Sequence, residues 1–255
     1  MNSQPSQTPF QNFMIPGGNF GYKAVAVNDL LSSENTIVTG LVDESGSTSP
    51  WKRDIELCIK EIVKSLYHCP VADKLVYRHC HFDTTFKELH GFRPLKECKE
   101  SDYDGCWAGG GQTALFKSEC NVLHATLDYA KQQSALHFTV NALNFFVSDG
   151  ENYLSSPDHI TPDDVKKANA DCITSEVLES LITIFIGVNP DDEIRRKLQE
   201  HCDYVGFTQF IPMEKANEKT LGQLAQWISK SIQSQSQHLG SGGPSQPLAP
   251  PSMTF

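Results

Sequence analysis

Nowhere does the 255-residue chain approach the about 20 consecutive apolar residues that a membrane-spanning helix needs, so no membrane span is expected. Positive charge is scarce: 21 Lys and Arg stand against 31 Asp and Glu, a formal net charge of −10, and the longest basic run is Arg195, Arg196 and Lys197. Tight binding to a phosphate backbone rests on clustered Lys and Arg, so nucleic acid is not an expected partner. The same charge disfavours an acidic membrane surface. There is no C-x-x-C pair either. The eight cysteines, at 58, 69, 80, 98, 106, 120, 172 and 202, are scattered, as are free cysteines that act as small buried hydrophobes in a reducing compartment. The opening MNSQPSQTPFQNFMIPGG has neither a charged start nor a continuous apolar run, so no secretory signal is expected. These absences together predict a cytoplasmic protein.

Several enzyme signatures are missing as well. No G-x-x-x-x-G-K-[ST] phosphate loop and no G-x-S-x-G nucleophile elbow occurs. Gly109 to Ala114 satisfies G-x-G-x-x-A, but it follows the polar stretch ECKESDYDGCWA, where a dinucleotide fold requires a buried strand. His79 and His81 flank Cys80 and share one face of a strand, which suits zinc. No second ligand pair at zinc spacing accompanies them.

What the chain does have is three oxygen-rich loops. The strand-like run Thr36 to Val42 ends in Asp43, Glu44, Ser45, Gly46 and Ser47, which places one carboxylate and two hydroxyls on a tight turn. A second apolar run, Ala142 to Val147, ends in Ser148, Asp149, Gly150 and Glu151. Between them, Gly109, Gly110 and Gly111 lead through Gln112 to Thr113, which opens a helix. Carboxylates and hydroxyls are hard donors suited to cations such as Mg²⁺, which accept near-octahedral oxygen geometry and keep several waters. In an open parallel sheet the ligand crevice lies beyond the carboxyl ends of the strands, so the three loops can converge. Each also has a plainer explanation. Asp and Ser stabilise surface turns and cap helices, Ser-Asp-Gly is a common turn, and three glycines make a flexible one.

Taken in order, Asp43-Glu-Ser-Gly-Ser47, Thr113 and Ser148-Asp149-Gly150 resemble the metal-ion-dependent adhesion site of the von Willebrand factor A domain family. His81 to Leu89 is similar to that family's second strand and turn, and Leu181 to Val188 to its fifth strand. The resemblance covers roughly residues 34 to 233. It implies a Rossmann-like α/β fold with a doubly wound, mainly parallel sheet and helices on both faces. It also implies that Ser45, Ser47 and Thr113 coordinate Mg²⁺ or Mn²⁺ directly or nearly so, with Asp43 and Asp149 acting through water. A carboxylate from a partner protein would fill the open position. In intracellular relatives the resemblance implies an AAA+ ATPase or another multiprotein assembly as that partner. Two alternatives stay open: a structural subunit whose metal is never exchanged, and a metal-dependent hydrolase with Glu44 and Glu151 as the additional proton-transfer groups. No catalytic residue is assigned.

Periodicity supports the same fold class. Ile55, Ile59, Ile62 and Leu66 form one helical face within Trp51 to Tyr67, and Phe116, Cys120, Leu123, Leu127 and Ala130 form another. Strands are expected at Lys74 to His81 and Thr85 to Leu89, with a turn at His90 to Pro94. Thr161-Pro162-Asp163-Asp164 reads as a helix start. Further on, the pattern predicts a helix at Asp191 to His201, a strand at Tyr204 to Phe210, and a closing helix with Leu221, Leu224, Ala225, Ile228 and Ile232 on its apolar face. Alternating apolar runs and amphipathic helices indicate a sheet covered on both sides. Residues 1–33 are expected as an N-terminal extension whose aromatics either stay free or pack on the domain. Residues 234–255, rich in Pro, Ser and Gln, are expected as a flexible tail, with Leu248 to Phe255 as a candidate docking segment.

Overall fold

The computed structural model describes residues 8–15, 20–150, 160–214 and 217–238. An eight-stranded sheet runs through it in the order β1-β2-β5-β4-β3-β6-β7-β8. The strands are β1 (Phe10–Met14), β2 (Gly21–Val25), β3 (Glu34–Asp43), β4 (Leu75–Phe82), β5 (Phe86–Pro94), β6 (Thr139–Ser148), β7 (Ser180–Val188) and β8 (Gln209–Met213). The helices are α1 (Lys52–Tyr67), α2 (Leu115–Ala135), α3 (Pro162–Thr174), α4 (Asp192–Val205) and α5 (Glu218–His238). Pairing is parallel from β4 through β3, β6 and β7 to β8, and antiparallel between β4 and β5 and between β1 and β2.

Successive residues of a strand point to opposite faces, and β3 splits its apolar set accordingly. Val38 and Val42 face one core layer, with Ile55, Ile59, Ile62 and Leu66 of α1 and Leu224, Ile228 and Ile232 of α5. Ile37 and Leu41 face the other, with Leu123 and Leu127 of α2, Val165 of α3 and Leu198 of α4. The sheet is therefore covered on both sides, as the doubly wound pattern requires. Each fully buried Ile or Leu of these layers contributes up to about 1.5–3 kcal/mol of hydrophobic stabilisation. Local signals bound the helices. Asp191 accepts a hydrogen bond from the Ile194 backbone N–H at 2.8 Å to start α4, and Gly206 ends it in the left-handed conformation with φ 78°.

Three expectations need correction, and one open alternative is decided. The chain does not turn at His90 to Pro94; β5 continues to Pro94, with Arg93 opposite Tyr77 and Pro94 opposite Val76. Tyr204 and Val205 belong to α4 rather than to a strand, because Val205 and Cys202 continue the buried stripe of Leu198, and β8 starts only at Gln209. For the N-terminal extension, of the two alternatives expected for its aromatics, packing on the domain is the one seen: β1 pairs with β2, and β2 with β5 through Ala24 and Phe92. Its Phe20 and Tyr22 are buried, Phe13 stacks on Tyr22 at 5.2 Å, and the Thr8 hydroxyl donates to Glu97 at 2.6 Å. Helix α5 continues to His238, past the boundary expected at 233. The rest of the expected tail, including Leu248 to Phe255, lies outside the described residues, as does Glu151.

Candidate metal centre

From β3 the chain passes through α1 to β4 on one side, and later returns through α2 to β6 on the other. The topological switch thus falls between the carboxyl ends of β3 and β6, where a crevice opens in such sheets. Asp43 is the last residue of β3, and Asp149 follows the last residue of β6.

Asp43 forms the floor of this crevice at 1% exposure. Its Oδ1 accepts the Ser45 backbone N–H at 2.8 Å, and its Oδ2 accepts the Ser148 hydroxyl at 2.6 Å. The Ser45 and Ser47 hydroxyls lie 3.1 Å apart, and Ser47 Oγ donates to Asp149 Oδ1 at 3.0 Å. Ser45 thus links the two carboxylates, its backbone N–H to Asp43 and its hydroxyl through Ser47 to Asp149. Thr48 locks the turn beneath by donating to the carbonyls of Asp43, at 3.1 Å, and Ser45, at 2.8 Å. Ser47 is exposed and Asp149 half-buried, so the site opens to solvent on that side.

The glycine loop comes to the same place. The Gly46 N–H donates to the Gly111 carbonyl at 3.2 Å, which ties it to the serine turn. Gly111 has φ +97°, and a Cβ there would meet Thr84 Oγ1 at 2.6 Å, so only glycine fits. Thr113, two residues further on, is buried at 3% exposure next to Ala114, the residue that caps the start of α2.

Electrostatics mark the two carboxylates as strained without a counter-charge. Burial lifts the Asp43 carboxyl above its usual range, against the hydrogen bonds from Ser148 and Ser45 that lower it, and Asp83 adds repulsion. Burial, and then the charge of Asp43, pushes Asp149 up to about 6. Among the described residues no group of three His, Cys, Asp or Glu is placed to hold a metal. The donor set at the crevice is instead carboxylate plus hydroxyl, which matches hard cations rather than soft ones.

Within this architecture the expected family is visible as a fold. The six strands β5-β4-β3-β6-β7-β8, with only β5 antiparallel and helices on both faces, carry the oxygen-rich turn at the end of the central strand. The fold is that of a von Willebrand factor A domain. Among solved structures the chain is similar to the D319A mutant of the PilB minor pilin from Streptococcus sanguinis, with 15% identity and a TM-score of 0.58 over 82% of this chain and 64% of that one. It is also similar to proximal thread matrix protein 1 from the mussel byssus, at 14% identity and TM-score 0.53 over 78% of this chain and 48% of that one. The pilus adhesin SpaC from Lactobacillus rhamnosus GG matches at 8% identity and TM-score 0.57, over 91% of this chain and 34% of that one. This von Willebrand factor A-like chain therefore spans between about a third and two thirds of the length of those structures. No family model matches the sequence, and no curated protein does.

Two features of the site were not read from the sequence. Ser148 directly orients Asp43, although only its place before Asp149 and Gly150 hinted at a role. Glu44 is fully buried between His81, Lys87 and Ala108. The zinc alternative finds His79 and His81 on one face, as the alternation requires, with their Nε2 atoms 3.0 Å apart. They are linked to each other, to Tyr77 and to Glu44 by hydrogen bonds.

Proposed function

We propose that this domain is a divalent-metal-dependent protein-binding module, in which Asp43, Ser45, Ser47, Thr113 and Asp149 hold Mg²⁺ or Mn²⁺ and a partner's Asp or Glu completes the sphere. The observation that carries this is the hydrogen-bonded link from Asp43 through the Ser45 backbone N–H, and from the Ser45 and Ser47 hydroxyls to Asp149, ending in a carboxyl that burial and its neighbour push up to about 6. Two crowded carboxylates lose stability by ionising side by side, and a cation between them reverses that penalty. The bound cation would supply a Lewis-acidic, positively charged position on an otherwise acidic surface. This chain's residues fix the floor of the site and leave the Ser47 and Asp149 side open.

That open side favours an exchangeable site over a permanently filled structural one. Catalysis is not part of the proposal. Glu44, one of two groups considered for proton transfer, is engaged by Lys87, His81 and Ala108, and burial of its carboxyl is outweighed by those hydrogen bonds, which hold it below its usual range. The partner class we propose is a carboxylate-bearing subunit of a multiprotein assembly, such as an AAA+ ATPase machine. All eight cysteines are free, seven of them buried, which supports a reducing, cytoplasmic setting. None of the described helices is long and apolar enough to cross a membrane.

The test is affinity capture of partners from the native cell with Mg²⁺, with Mn²⁺ and with chelator, alongside a melting curve in each condition. Capture that needs the metal while the fold persists without it is the expected result. Capture undiminished by chelator would place the partner on another surface.

A further inference from the structure

Glu44 sits between two of the site residues, yet its side chain points away from them into a buried network. It is 0% exposed. Its Oε1 accepts from Lys87 Nζ, and its Oε2 accepts from the Ala108 backbone N–H at 3.2 Å and from His81 Nδ1 at 3.2 Å. The direction of that last bond follows from the chain behind it. The Tyr77 hydroxyl lies 2.7 Å from His79 Nδ1, and as donor it leaves the His79 proton on Nε2, which donates to His81 Nε2 at 3.0 Å. His81 then carries its own proton on Nδ1, facing Glu44. Burial holds His79 well below its usual pKa, in keeping with a neutral relay.

Ala108 is the residue just before the glycine loop that ends in Thr113. The far end of that loop is held by the β4–β5 turn, where Gln112 N–H donates to Thr84 Oγ1 at 3.1 Å and Ala114 N–H to the Asp83 carbonyl at 2.8 Å. Lys87 also bonds Asp83 Oδ2 at 2.9 Å, so Glu44, Lys87 and Asp83 form one connected unit that grips both ends of the loop. Contact at the near end is close: a Cβ on Gly109 would lie 1.9 Å from the Glu44 carbonyl oxygen. Lys87 cancels the Glu44 charge at contact distance. What Glu44 supplies to the site is therefore position rather than field.

We propose that Glu44, held by the Tyr77-His79-His81 relay and Lys87, is a positioning residue that docks the Thr113 loop against the Asp43 turn and thereby sets the metal affinity of the site. This rests on the metal-binding function proposed above. The experiment is Mn²⁺ titration followed by electron paramagnetic resonance on the wild type, Glu44→Ala, Glu44→Gln and Gly109→Ala, each with a metal-free melting curve. Loss of an outer-shell partner typically costs about 10–100-fold in metal affinity, and that loss is expected for Glu44→Ala and for Gly109→Ala. Glu44→Gln should recover part of it, because the amide oxygen still accepts from Ala108 and His81 while the amide N–H group, facing Lys87, cannot accept from it. If Glu44→Ala does not fold, Gly109→Ala against the wild type decides. Unchanged affinity in Gly109→Ala, or in a folded Glu44→Ala, overturns the inference. A wild type that binds no Mn²⁺ overturns the metal-binding function itself, a result distinct from wild-type binding with indifferent variants.

Discussion

Acidification should weaken Mn²⁺ binding by a factor that can be worked out in advance, because proton and metal compete for Asp149. In the metal-free protein that carboxyl titrates at about 6, lifted by burial and by the charge of Asp43. A cation binds the deprotonated ligand, so apparent affinity follows the ionised fraction. A single group titrating there is about 90% ionised near pH 7 and about 10% ionised near pH 5, a roughly tenfold loss of affinity worth about 1.3 kcal/mol. Asp43 is raised as well, so tenfold is the lower bound and the slope steepens at the acid end.

Stability must move the opposite way, and this makes the prediction stricter. Both carboxyls have folded values above those of the unfolded chain, so the folded state binds more protons in between. The metal-free domain therefore loses stability as pH rises from about 4 through about 6, and Mn²⁺ should raise the melting temperature strongly at pH 7 and weakly at pH 5. Calorimetric titrations from pH 5 to 7.5, in buffers of different ionisation enthalpy, count the protons released per metal bound. About one proton near pH 5.5 and almost none at pH 7.5 is the expected count. Affinity that stays flat across the range, with no proton release, would remove Asp149 from the ligand set.

Asp43→Ala should abolish Mn²⁺ binding in a calorimetric titration while leaving a cooperative melt, since it removes the one carboxylate on the floor of the crevice. Thr113→Ala should weaken partner capture more than Mn²⁺ affinity if movement of the glycine loop tunes partner recognition; equal losses would argue for a static site. Arg78→Met should cost about 1–3 kcal/mol in denaturant unfolding, because it removes the ion pair of the 0%-exposed Arg78 side chain with Glu88 at 2.6 Å and its bond to Asn121, while half-buried Glu88 keeps the Lys23 backbone N–H.

The strands at the centre of the sheet are legible because both of their faces are buried, which turns Thr36 to Val42 and Leu181 to Val188 into apolar runs that need no long-range information. The edges of the fold are not. Phe10–Met14 has an exposed, polar-interrupted pattern, and its pairing with Gly21–Val25 depends on partners supplied by β5 and α2, such as Phe92 and Asp128 against Tyr22. The misplaced strand at Tyr204 shows a different limit. Gly206 carries the stop signal of α4, but an aromatic and a β-branched residue just before it outweighed the helical spacing of Leu198, Cys202 and Val205. At the site, Asp43, Ser45, Ser47 and Asp149 stand out because their chemistry is local to two turns. Glu44 does not, since the groups that bury and neutralise it come from three other segments.

The net charge of −10 explains why such a module would be gated rather than always sticky. A partner carboxylate approaching the metal-free crevice would meet Asp43 and Asp149, while Lys87, which contacts Glu44 of the same turn, is committed to Glu44 and Asp83. Two ionised carboxylates and one divalent cation sum to zero, so filling the site removes the repulsion and leaves the cation with coordination positions still to satisfy. A charge-assisted contact of that kind contributes only about 1.5–3 kcal/mol, too little to hold a partner alone. In the proposed function, recognition would then combine the metal-borne contact with the exposed surface around Ser47 and Asp149, and the metal would decide whether that surface can be approached.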